Sequence, residues 1–228
     1  MLVKVVRNIM EKNKADARTV ADWLSARGAV MVNLMSSPGA GKTTLLLNLT
    51  PLLESRFQIA ILEGDIATTT DAEKLAGLEK PIVQITTGGA CHLEPHLVVA
   101  ALKKLAEEPF NLVLTENVGN LVCPASIWIG ERLRIVVGSV PEGEDKPRKY
   151  PQMFREADAV VVNKWDLAEP FGFNEEEYFG DLERLNPNAA IFRISARTGE
   201  GLPELADWLA ERVFALLAEE GQRGDESS

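Results

Sequence analysis

The segment Ser36-Ser-Pro-Gly-Ala-Gly-Lys-Thr43 follows directly on the apolar run Val30–Met35. A buried strand that runs into glycines and then Lys-Thr predicts a phosphate-binding loop, because the loop N–H groups and the N-terminus of the next helix attract an anion. Ser36 stands where the usual pattern has its first glycine, but Gly39 and Gly41 remain and allow the chain to turn tightly. The alternative is an ordinary glycine-rich turn in front of a helix.

The residues from the apex of this loop to the start of the helix are expected to contact a nucleotide. We assign this role to Pro38, Gly39, Ala40, Gly41, Lys42, Thr43 and Thr44. The Lys42 ammonium group can reach the β- and γ-phosphates and is given a catalytic role, while the Thr43 hydroxyl can bind Mg²⁺.

The composition excludes several classes of protein. A formal net charge of −10 disfavours a nucleic-acid partner, since binding to a phosphate backbone needs a basic face. No apolar run approaches the roughly 20 residues of a membrane helix, and charges interrupt the N-terminal stretch too often for a secretion signal. We therefore expect a cytoplasmic protein with no membrane or nucleic-acid partner, and no structural disulfide between its two cysteines.

Apolar runs of strand length alternate with segments of helical periodicity along most of the chain. The predicted strands are Val30–Met35, Gln58–Leu62, Ile82–Thr86, Leu112–Glu116, Arg134–Val140, Ala159–Asn163 and Ala190–Ile194. The predicted helices that follow them are Thr43–Leu53, Pro95–Ala106, Asn174–Leu185 and Leu202–Ala218. This alternation predicts an α/β protein, with a mostly parallel sheet and helices on both faces. In such a sheet, ligands gather at the carboxyl ends of the strands.

A second motif, Asn163-Lys164-Trp165-Asp166, ends one of these strands. The Asp166 carboxylate can accept hydrogen bonds from N1–H and the exocyclic amine of guanine, whereas adenine offers the opposite pattern. Asn163 and Lys164 would brace the loops and the face of the base. Ser195-Ala196-Arg197 follows the next strand and resembles the loop that packs over guanine in GTP-binding proteins. A lone N-K-x-D could be a surface turn, but together these motifs predict GTP or GDP rather than ATP.

Acidic residues follow two other predicted strands. Glu116-Asn-Val-Gly119 ends a strand in the manner of a Walker B motif, so Glu116 is expected to hold Mg²⁺ and Gly119 to approach the γ-phosphate. Asp65 and Asp71 are candidates for Mg²⁺ coordination or for positioning water, and we place Asp71 with Thr43 and Glu116 among the Mg²⁺ ligands. Asp65, Asp71 and Glu116 are assigned to catalysis with the phosphate-loop lysine. The alternative for the two aspartates is capping of the next helix.

The chain is predicted to have three parts. Residues 1–28 form an N-terminal helical arm, because Val3–Arg27 alternates apolar and charged residues at helical spacing ahead of the first strand. This arm is either a dimer arm or lid, or a simple packing helix. Residues 29–218 form the GTPase domain. The polar, glycine-containing segment 219–228 is predicted to be a disordered tail.

Cys91, His92 and Cys123 are candidate metal ligands. Cys91 and His92 follow one predicted strand, and Cys123 follows the Glu116–Gly119 segment, so both loops lie on the edge predicted for phosphate binding. Two thiolates and an imidazole suit Zn²⁺ or Ni²⁺, with a fourth position left to water or to a second chain. The alternative is two small buried cysteines and a surface histidine. We exclude His96, because Pro95 fits the first position of a helix that begins after His92.

Several of these segments together resemble the HypB family, whose members are GTPases that assist nickel insertion during maturation of [NiFe]-hydrogenase. The segments are SSPGAGKTTLL, EGDIATTTDA, QITTGGACHLEPH, ENVGNLVCPA, EGEDKPRKYPQMF and NKWDL. The resemblance runs from about Met31 to Leu209. It implies the SIMIBI type of P-loop GTPase fold, a GTP-stabilised homodimer, and a Zn²⁺ or Ni²⁺ site at the interface built by residues matching Cys91, His92 and Cys123.

The same resemblance implies a partner metallochaperone of the HypA type and delivery to the hydrogenase large subunit. Some family members also carry an N-terminal C-x-x-C-G-C motif or a histidine-rich stretch, and this sequence has neither. We therefore expect no nickel storage and no second, tighter metal site.

The sequence as a whole predicts a GTPase that uses nucleotide hydrolysis as a switch for metal delivery. Cys123 follows Gly119 by a few residues, so movement of that loop on hydrolysis would displace a metal ligand. One alternative is the GTPase that loads nickel into urease, although that family typically shows Cys-Pro-His. Another is a GTP-dependent chaperone of a cobalamin enzyme with no metal role. Lys146, in the EGEDKP segment, is a possible contact of the nucleotide or of the second subunit.

Overall fold

The structure, a computed structural model, describes residues 2–66 and 70–226. Within the two terminal helices it describes the side chains of residues 10–26 and 202–219. Met1 of the predicted arm, Ala67–Thr69 of the EGDIATTTDA segment, and the last two serines of the predicted tail lie outside the described residues.

A single parallel sheet runs through the described part of the chain. Its seven strands are β1 Val30–Ser36, β2 Ile59–Asp65, β3 Ile82–Thr86, β4 Leu112–Glu116, β5 Leu133–Ser139, β6 Ala159–Asn163 and β7 Ala190–Arg193. They lie in the order β3-β2-β4-β1-β5-β6-β7, and every neighbouring pair is parallel. The predicted strands are therefore confirmed, with ends that shift by up to three residues.

The helices connect the strands and cover the sheet. They are α1 Leu2–Ala26, α2 Lys42–Leu53, α3 Thr70–Leu75, α4 Pro95–Lys104, α5 Lys146–Lys149, α6 Pro151–Arg155, α7 Ala168–Phe171, α8 Glu175–Leu185 and α9 Leu202–Glu226. Single 3₁₀ turns occur at Ala76–Leu78, Pro124–Ser126, Val140–Glu142 and Trp165–Leu167.

Both faces of the sheet are buried, as a parallel sheet requires. In β1, Val30, Val32 and Leu34 belong to the core cluster formed with α2 and α9, whereas Met31 belongs to the cluster formed with α1 and α4. A third cluster joins β5 and β6 to α6 and α8. The α/β fold with helices on both faces is therefore confirmed.

The largest difference in strand length concerns β2, which continues past the predicted end at Leu62 as far as Asp65. Glu63 and Gly64 are polar or small and do not continue the apolar run. They stay in the sheet because β3 pairs with them, with Glu63 beside Gln84 and Gly64 beside Ile85.

The N-terminal helix is part of the folded domain over the half whose side chains are described. Ala17, Val20 and Leu24 are buried, and Val20 and Leu24 join the core cluster that includes α4. Arg27, just after the helix, stacks on the Trp23 and Phe110 rings at 5.1 and 4.9 Å. The sequence left open a dimer arm or lid, or a simple packing helix, and this half of the helix packs on the core.

The C-terminal segment differs from the prediction of a disordered tail. Helix α9 continues to Glu226, so residues 219–226 belong to it. A helix that is already nucleated and packed adds residues at little cost, which outweighs the low helix propensity of Gly221 and Gly224. Arg132 also forms an ion pair with Glu219 at 3.1 Å.

The strand order places β1 between β4 and β5, at the point where the chain changes direction across the sheet. In open parallel sheets this is where a crevice forms outside the carboxyl ends of the strands. Among the described residues, no helix combines the length and the apolar character needed to span a bilayer.

Candidate functional site

The phosphate loop connects the end of β1 to the start of α2 at Lys42. Gly41 has φ 101°, which an L side chain rarely adopts. A Cβ at Gly41 would also lie 2.5 Å from the Asn163 amide nitrogen, which donates to the Ala40 carbonyl at 2.8 Å. A glycine is therefore required here both for its backbone conformation and for close approach of the N-K-x-D segment.

Lys42 is buried at the base of this loop, and its Nζ donates to Ser36 Oγ at 2.7 Å. Ser36 thus supplies a hydrogen-bond acceptor at the position where the usual loop has glycine. Burial lowers the pKa of Lys42, while the nearby carboxylates of Glu116 and Asp71 act in the opposite direction. A polyphosphate would supply the negative charge that favours the protonated form.

A cavity of about 550 Å³ opens over the phosphate loop. Four acidic residues line it, namely Glu63, Asp65, Asp71 and Glu116. The cavity is also lined by Lys42, Lys74, Lys164 and Gly119. The structure therefore brings the four predicted catalytic residues, and the three predicted Mg²⁺ ligands, to one cavity.

Within this cavity, Thr43 and Glu116 are in direct contact. Thr43 Oγ1 donates to Glu116 Oε1 at 3.0 Å, while Glu116 Oε2 is buried without a hydrogen-bond partner. Burial raises the pKa of Glu116, and the charge of Lys42 and the Thr43 hydrogen bond oppose this change. A hydroxyl and a carboxylate at hydrogen-bond distance suit a shared Mg²⁺ ion, which binds oxygen ligands.

Asp65 and Asp71 make local contacts. The Asp65 carboxylate accepts from the N–H of Ile66, and Asp71 accepts from Lys74 Nζ at 2.7 Å. Asp71 lies inside the first turn of α3, which begins at Thr70, so it does not occupy the capping position.

A second cavity, of about 540 Å³, adjoins the first and shares Gly41, Thr44 and Lys164 with it. The residues predicted to bind guanine line this cavity, namely Asn163, Lys164, Asp166, Ser195, Ala196 and Arg197. The predicted phosphate-binding and base-binding residues therefore line adjoining cavities.

Asn163 holds the base cavity together. Its Oδ1 accepts from the Lys164 and Ala196 N–H groups at 2.7 and 2.9 Å, while its Nδ2 reaches the phosphate loop. Lys164 Nζ donates to the Gly39 carbonyl at 2.7 Å. The N-K-x-D segment thus braces the phosphate loop directly.

Asp166 faces the same cavity from the other end of the motif. Arg197 Nη2 donates to Asp166 Oδ2 at 2.8 Å. Hydrogen bonds from Ser195 and Arg197 hold the pKa of Asp166 below its usual value. A guanine base would therefore meet an ionised acceptor.

Cys91, His92 and Cys123 come together on the loops that follow β3 and β4. Their ligand atoms all lie within 4.8 Å of one another, and Cys91 Sγ is 3.7 Å from His92 Nδ1. A hydrogen bond with the Cys123 thiol, with burial as a second cause, raises the pKa of Cys91. Two sulfurs and an imidazole nitrogen at this spacing fit a soft divalent ion such as Zn²⁺ or Ni²⁺.

His96 lies outside this cluster. Pro95 is the first residue of α4, and the His96 imidazole pairs instead with Glu94 at 3.1 Å. This position agrees with its exclusion from the predicted ligand set.

The two loops that carry the candidate metal ligands contact each other, and the loop after β4 also contacts the phosphate loop. Asn120 Nδ2 donates to the Cys91 carbonyl at 3.2 Å. A Cβ at Gly119 would lie 2.9 Å from Pro38 Cα, so the segment leading to Cys123 packs directly on the phosphate loop.

Comparison with known proteins places the chain in a family. Residues 30–193 match the family described as CobW/HypB/UreG, nucleotide-binding domain. The hydrogenase maturation factor HypB of Rhizobium leguminosarum bv. viciae is 42% identical over 208 residues, which cover 91% of this chain and 70% of the relative. The chain belongs to the HypB family. The resemblance seen in the sequence is confirmed.

Other HypB relatives include the hydrogenase/urease maturation factor HypB of Helicobacter pylori strain ATCC 700392 / 26695. It is 40% identical over 214 residues, which cover 92% of this chain and 88% of the relative.

Two solved HypB structures share the fold. HypB from Helicobacter pylori in complex with nickel has a TM-score of 0.86 and 39% identity, covering 90% of this chain and 97% of that one. HypB from Archaeoglobus fulgidus has a TM-score of 0.82 and 36% identity, covering 89% of this chain and 99% of that one.

Three residues of this HypB-family site were not assigned a role from the sequence. Glu63 is buried in the phosphate cavity beside Glu116. Asn117, within the Glu116–Gly119 segment, is buried and contacts β1 and the residue Leu93 that follows the Cys91–His92 pair. Glu142 accepts from Ser37 Oγ of the phosphate loop and from Ser139 Oγ, the latter at 2.8 Å. Each lies within a segment that the sequence analysis quoted: Glu63 in EGD, Asn117 in ENVG and Glu142 in EGEDKP. Their polar character in these motifs could have indicated a role.

Lys146, the residue of the EGEDKP segment that the sequence singled out, is engaged within its own loop. Its Nζ donates to the Glu142 carbonyl and to Asp145 Oδ1, the latter at 3.4 Å.

Proposed function

We propose that this member of the HypB family is a GTP-hydrolysing metallochaperone that assists nickel insertion into [NiFe]-hydrogenase. In this proposal a GTP-dependent homodimer carries a Ni²⁺ or Zn²⁺ site whose affinity depends on the nucleotide. The observation that carries it is the Cys91–His92–Cys123 cluster, because Cys123 lies on the loop whose residues Asn117, Val118 and Gly119 line the phosphate cavity.

The preference for GTP is supported by the base cavity. Asp166 is a hydrogen-bond acceptor held in place by Arg197, and guanine presents two donors to such a group. Adenine has no N1–H and would not present this pair of donors, so the carboxylate favours guanine.

A role for Mg²⁺ is supported by the charges of the phosphate cavity. Four carboxylates line the space that would hold a triphosphate, so a cation between them and the phosphates would offset their repulsion. We assign Thr43, Asp71 and Glu116 to that ion. Lys42 would stabilise the charge that develops on the phosphates, and Asp65 or Asp71 would position the attacking water.

The metal cargo would bind to thiolates, so the thiol protons are released as the ion arrives. Three ligands per chain leave the coordination of a tetrahedral ion incomplete, and a second copy of the chain can complete or share the site. Val122, next to Cys123, is 61% exposed, as expected of a residue at such an interface.

The proposed partners rest on the resemblance to the HypB family. We propose a metallochaperone of the HypA type as the source of the metal and the hydrogenase large subunit as its destination. The Helicobacter pylori relative is described as a hydrogenase/urease maturation factor, so urease maturation is the second candidate function.

The test is to measure Ni²⁺ and Zn²⁺ affinity together with solution mass, in GDP and in a non-hydrolysable GTP analogue. We expect the analogue to favour the dimer and to shift the metal affinity. Cys123→Ala should remove the nucleotide dependence of metal binding while GTP affinity stays unchanged.

A matched pair of histidine variants adds a control. His92→Ala should weaken metal binding, and His96→Ala, which removes an imidazole four residues away that pairs with Glu94, should not. Metal affinity that is the same in both nucleotides, or in Cys123→Ala and the unaltered protein, would contradict the proposal. GTPase activity without any metal binding would favour the cobalamin-type chaperone.

A further inference from the structure

Asn117 makes three side-chain hydrogen bonds at the centre of the site. Its Oδ1 accepts from the Leu93 N–H at 3.1 Å and from the Val118 N–H at 2.9 Å, and its Nδ2 donates to Asn33 Oδ1 at 3.2 Å. The side chain is buried, with 1% of the residue exposed. A buried amide that is hydrogen-bonded to its own segment and to two others has little freedom to move independently of them.

The first of these segments leads to the nucleotide. Asn117 lines the phosphate cavity and directly follows Glu116, whose carboxylate accepts from the Thr43 hydroxyl. Its own N–H donates to the Leu34 carbonyl of β1 at 3.0 Å. A shift of the Glu116 backbone on Mg²⁺ binding would therefore move the next peptide unit and the side chain of Asn117.

The second segment leads to the metal cluster. The Leu93 N–H belongs to the peptide unit that joins Leu93 to His92, so the bond from Asn117 orients this unit directly. The Leu93 side chain is buried in the core cluster with Ile85 and Val98. The core thus fixes the Leu93 side chain, and Asn117 fixes its N–H. Together they set the orientation of the preceding residue, His92.

We infer that Asn117 is a positioning residue that couples the nucleotide cavity to the Cys91–His92 half of the metal cluster. The path runs from Thr43 through Glu116 and Asn117 to the His92–Leu93 peptide. It is separate from the covalent segment that joins Gly119 to Cys123. The inference rests on the proposed function, since it requires that nucleotide and metal binding influence each other.

Two substitutions separate the hydrogen bond to Leu93 from the other contacts of Asn117. Asn117→Ser keeps a hydroxyl that can accept from the neighbouring Val118 N–H but is too short to reach Leu93. Asn117→Asp keeps an oxygen at the position that accepts from Leu93. Both variants lose the amide that donates to Asn33, whose own Nδ2 is buried without a partner and can turn to donate to the introduced carboxylate.

The experiment measures the Ni²⁺ dissociation constant by competition with a chromophoric chelator, in Mg²⁺-GDP and in a Mg²⁺-bound, non-hydrolysable GTP analogue. For the unaltered protein we expect the two constants to differ by about 5- to 150-fold, the usual range of coupling between two sites. Asn117→Ser should lower this ratio by at least about threefold, with the Gly119–Cys123 segment carrying the remainder, and Asn117→Asp should retain most of it.

A control variant accounts for a general loss of stability. Asn186 likewise makes two side-chain hydrogen bonds to the backbone, donating from Nδ2 to the Phe154 and Ala157 carbonyls at 3.0 and 2.8 Å, but it lies away from the site, between α8 and β7. Asn186→Ala should be destabilised and yet keep the ratio of the unaltered protein.

The outcomes distinguish the inference from the function on which it rests. A ratio of one in the unaltered protein overturns the proposed coupling and the inference with it. A normal ratio that persists in Asn117→Ser overturns the inference alone and leaves the Gly119–Cys123 segment as the route. An equal loss in Asn117→Ser and Asn117→Asp also overturns it, because the Leu93 hydrogen bond would not be the contact that matters.

Discussion

Glu63 and Glu116 lie side by side on the neighbouring parallel strands β2 and β4, and both carboxyl groups are buried at the floor of the phosphate cavity. Each has one carboxylate oxygen, Oε2, without a hydrogen-bond partner. Burial, together with the charge of Glu116, raises the pKa of Glu63 to about 8. Two buried acids in this arrangement are unfavourable when both are ionised and no cation is present.

The pH dependence of stability should report this pair. Because the folded-state pKa of Glu63 lies above its ordinary value of 4.5, the unfolded chain releases the proton first as pH rises, and ionisation favours unfolding. The stabilising effect is therefore present below about pH 4.5 and is lost as pH rises through about 8. Without nucleotide and Mg²⁺, we expect the free energy of unfolding to decline by at most about 1.4 kcal/mol per pH unit as pH rises.

Glu63→Gln should flatten this decline, as measured by urea unfolding between pH 5 and 8 in a chelator. Glu211→Gln, which changes an exposed residue of α9, is the matched control and should follow the unaltered protein. A decline of equal slope in Glu63→Gln would show that another group is responsible.

Replacement of Gly41 tests the fit between the phosphate loop and the N-K-x-D segment. Gly41→Ala introduces both an unfavourable φ and a clash with Asn163, whereas Gly39→Ala introduces only the unfavourable φ, 76°, with no atom within 4 Å of the added Cβ. We expect Gly41→Ala to lower the free energy of unfolding by at least about 1 kcal/mol more than Gly39→Ala, the typical value of a lost hydrogen bond. Urea unfolding without nucleotide measures the difference, and equal losses would mean that Asn163 adjusts freely.

Replacement of Asp166 tests the identity of the base. Asp166→Asn presents an amide donor where guanine needs an acceptor, so GTP affinity should fall by about 100-fold or more. Xanthosine triphosphate, which has a carbonyl oxygen in place of the guanine amine, should then bind better than GTP. Equilibrium binding of both nucleotides measures this exchange.

The control for that exchange is Asp207→Asn. Asp207 lies on α9 and forms an exposed ion pair with Arg56, so this variant removes an equal charge away from the base cavity. It should leave both affinities unchanged. An unchanged GTP affinity in Asp166→Asn would mean that this carboxylate does not contact the base.

Local sequence patterns predicted most of the sheet. β3, β4 and β6 have the predicted ends, since their apolar runs stop abruptly at polar residues. The end of β2 was predicted too early because Glu63 interrupts its apolar run, and the pairing with β3 that keeps Glu63 in the strand is not a local property. The same limit applies to α9, whose continuation to Glu226 depends on a helix already anchored by its packed residues.

The residue types and their spacing along the chain were sufficient to identify the phosphate loop, the N-K-x-D segment and the family, because each of these motifs lies within a short stretch. The sequence also predicted that Cys91, His92 and Cys123 lie at one edge of the sheet, and the structure brings their ligand atoms within 4.8 Å of one another. Tertiary structure alone revealed that Glu63 lies beside Glu116, that Glu142 contacts Ser37, and that Asn117 joins the nucleotide cavity to the His92–Leu93 peptide. These contacts join residues that are 24 to 105 positions apart in the chain. Their formation depends on strand order and on the packing of loops at one edge of the sheet, which no short segment of sequence encodes.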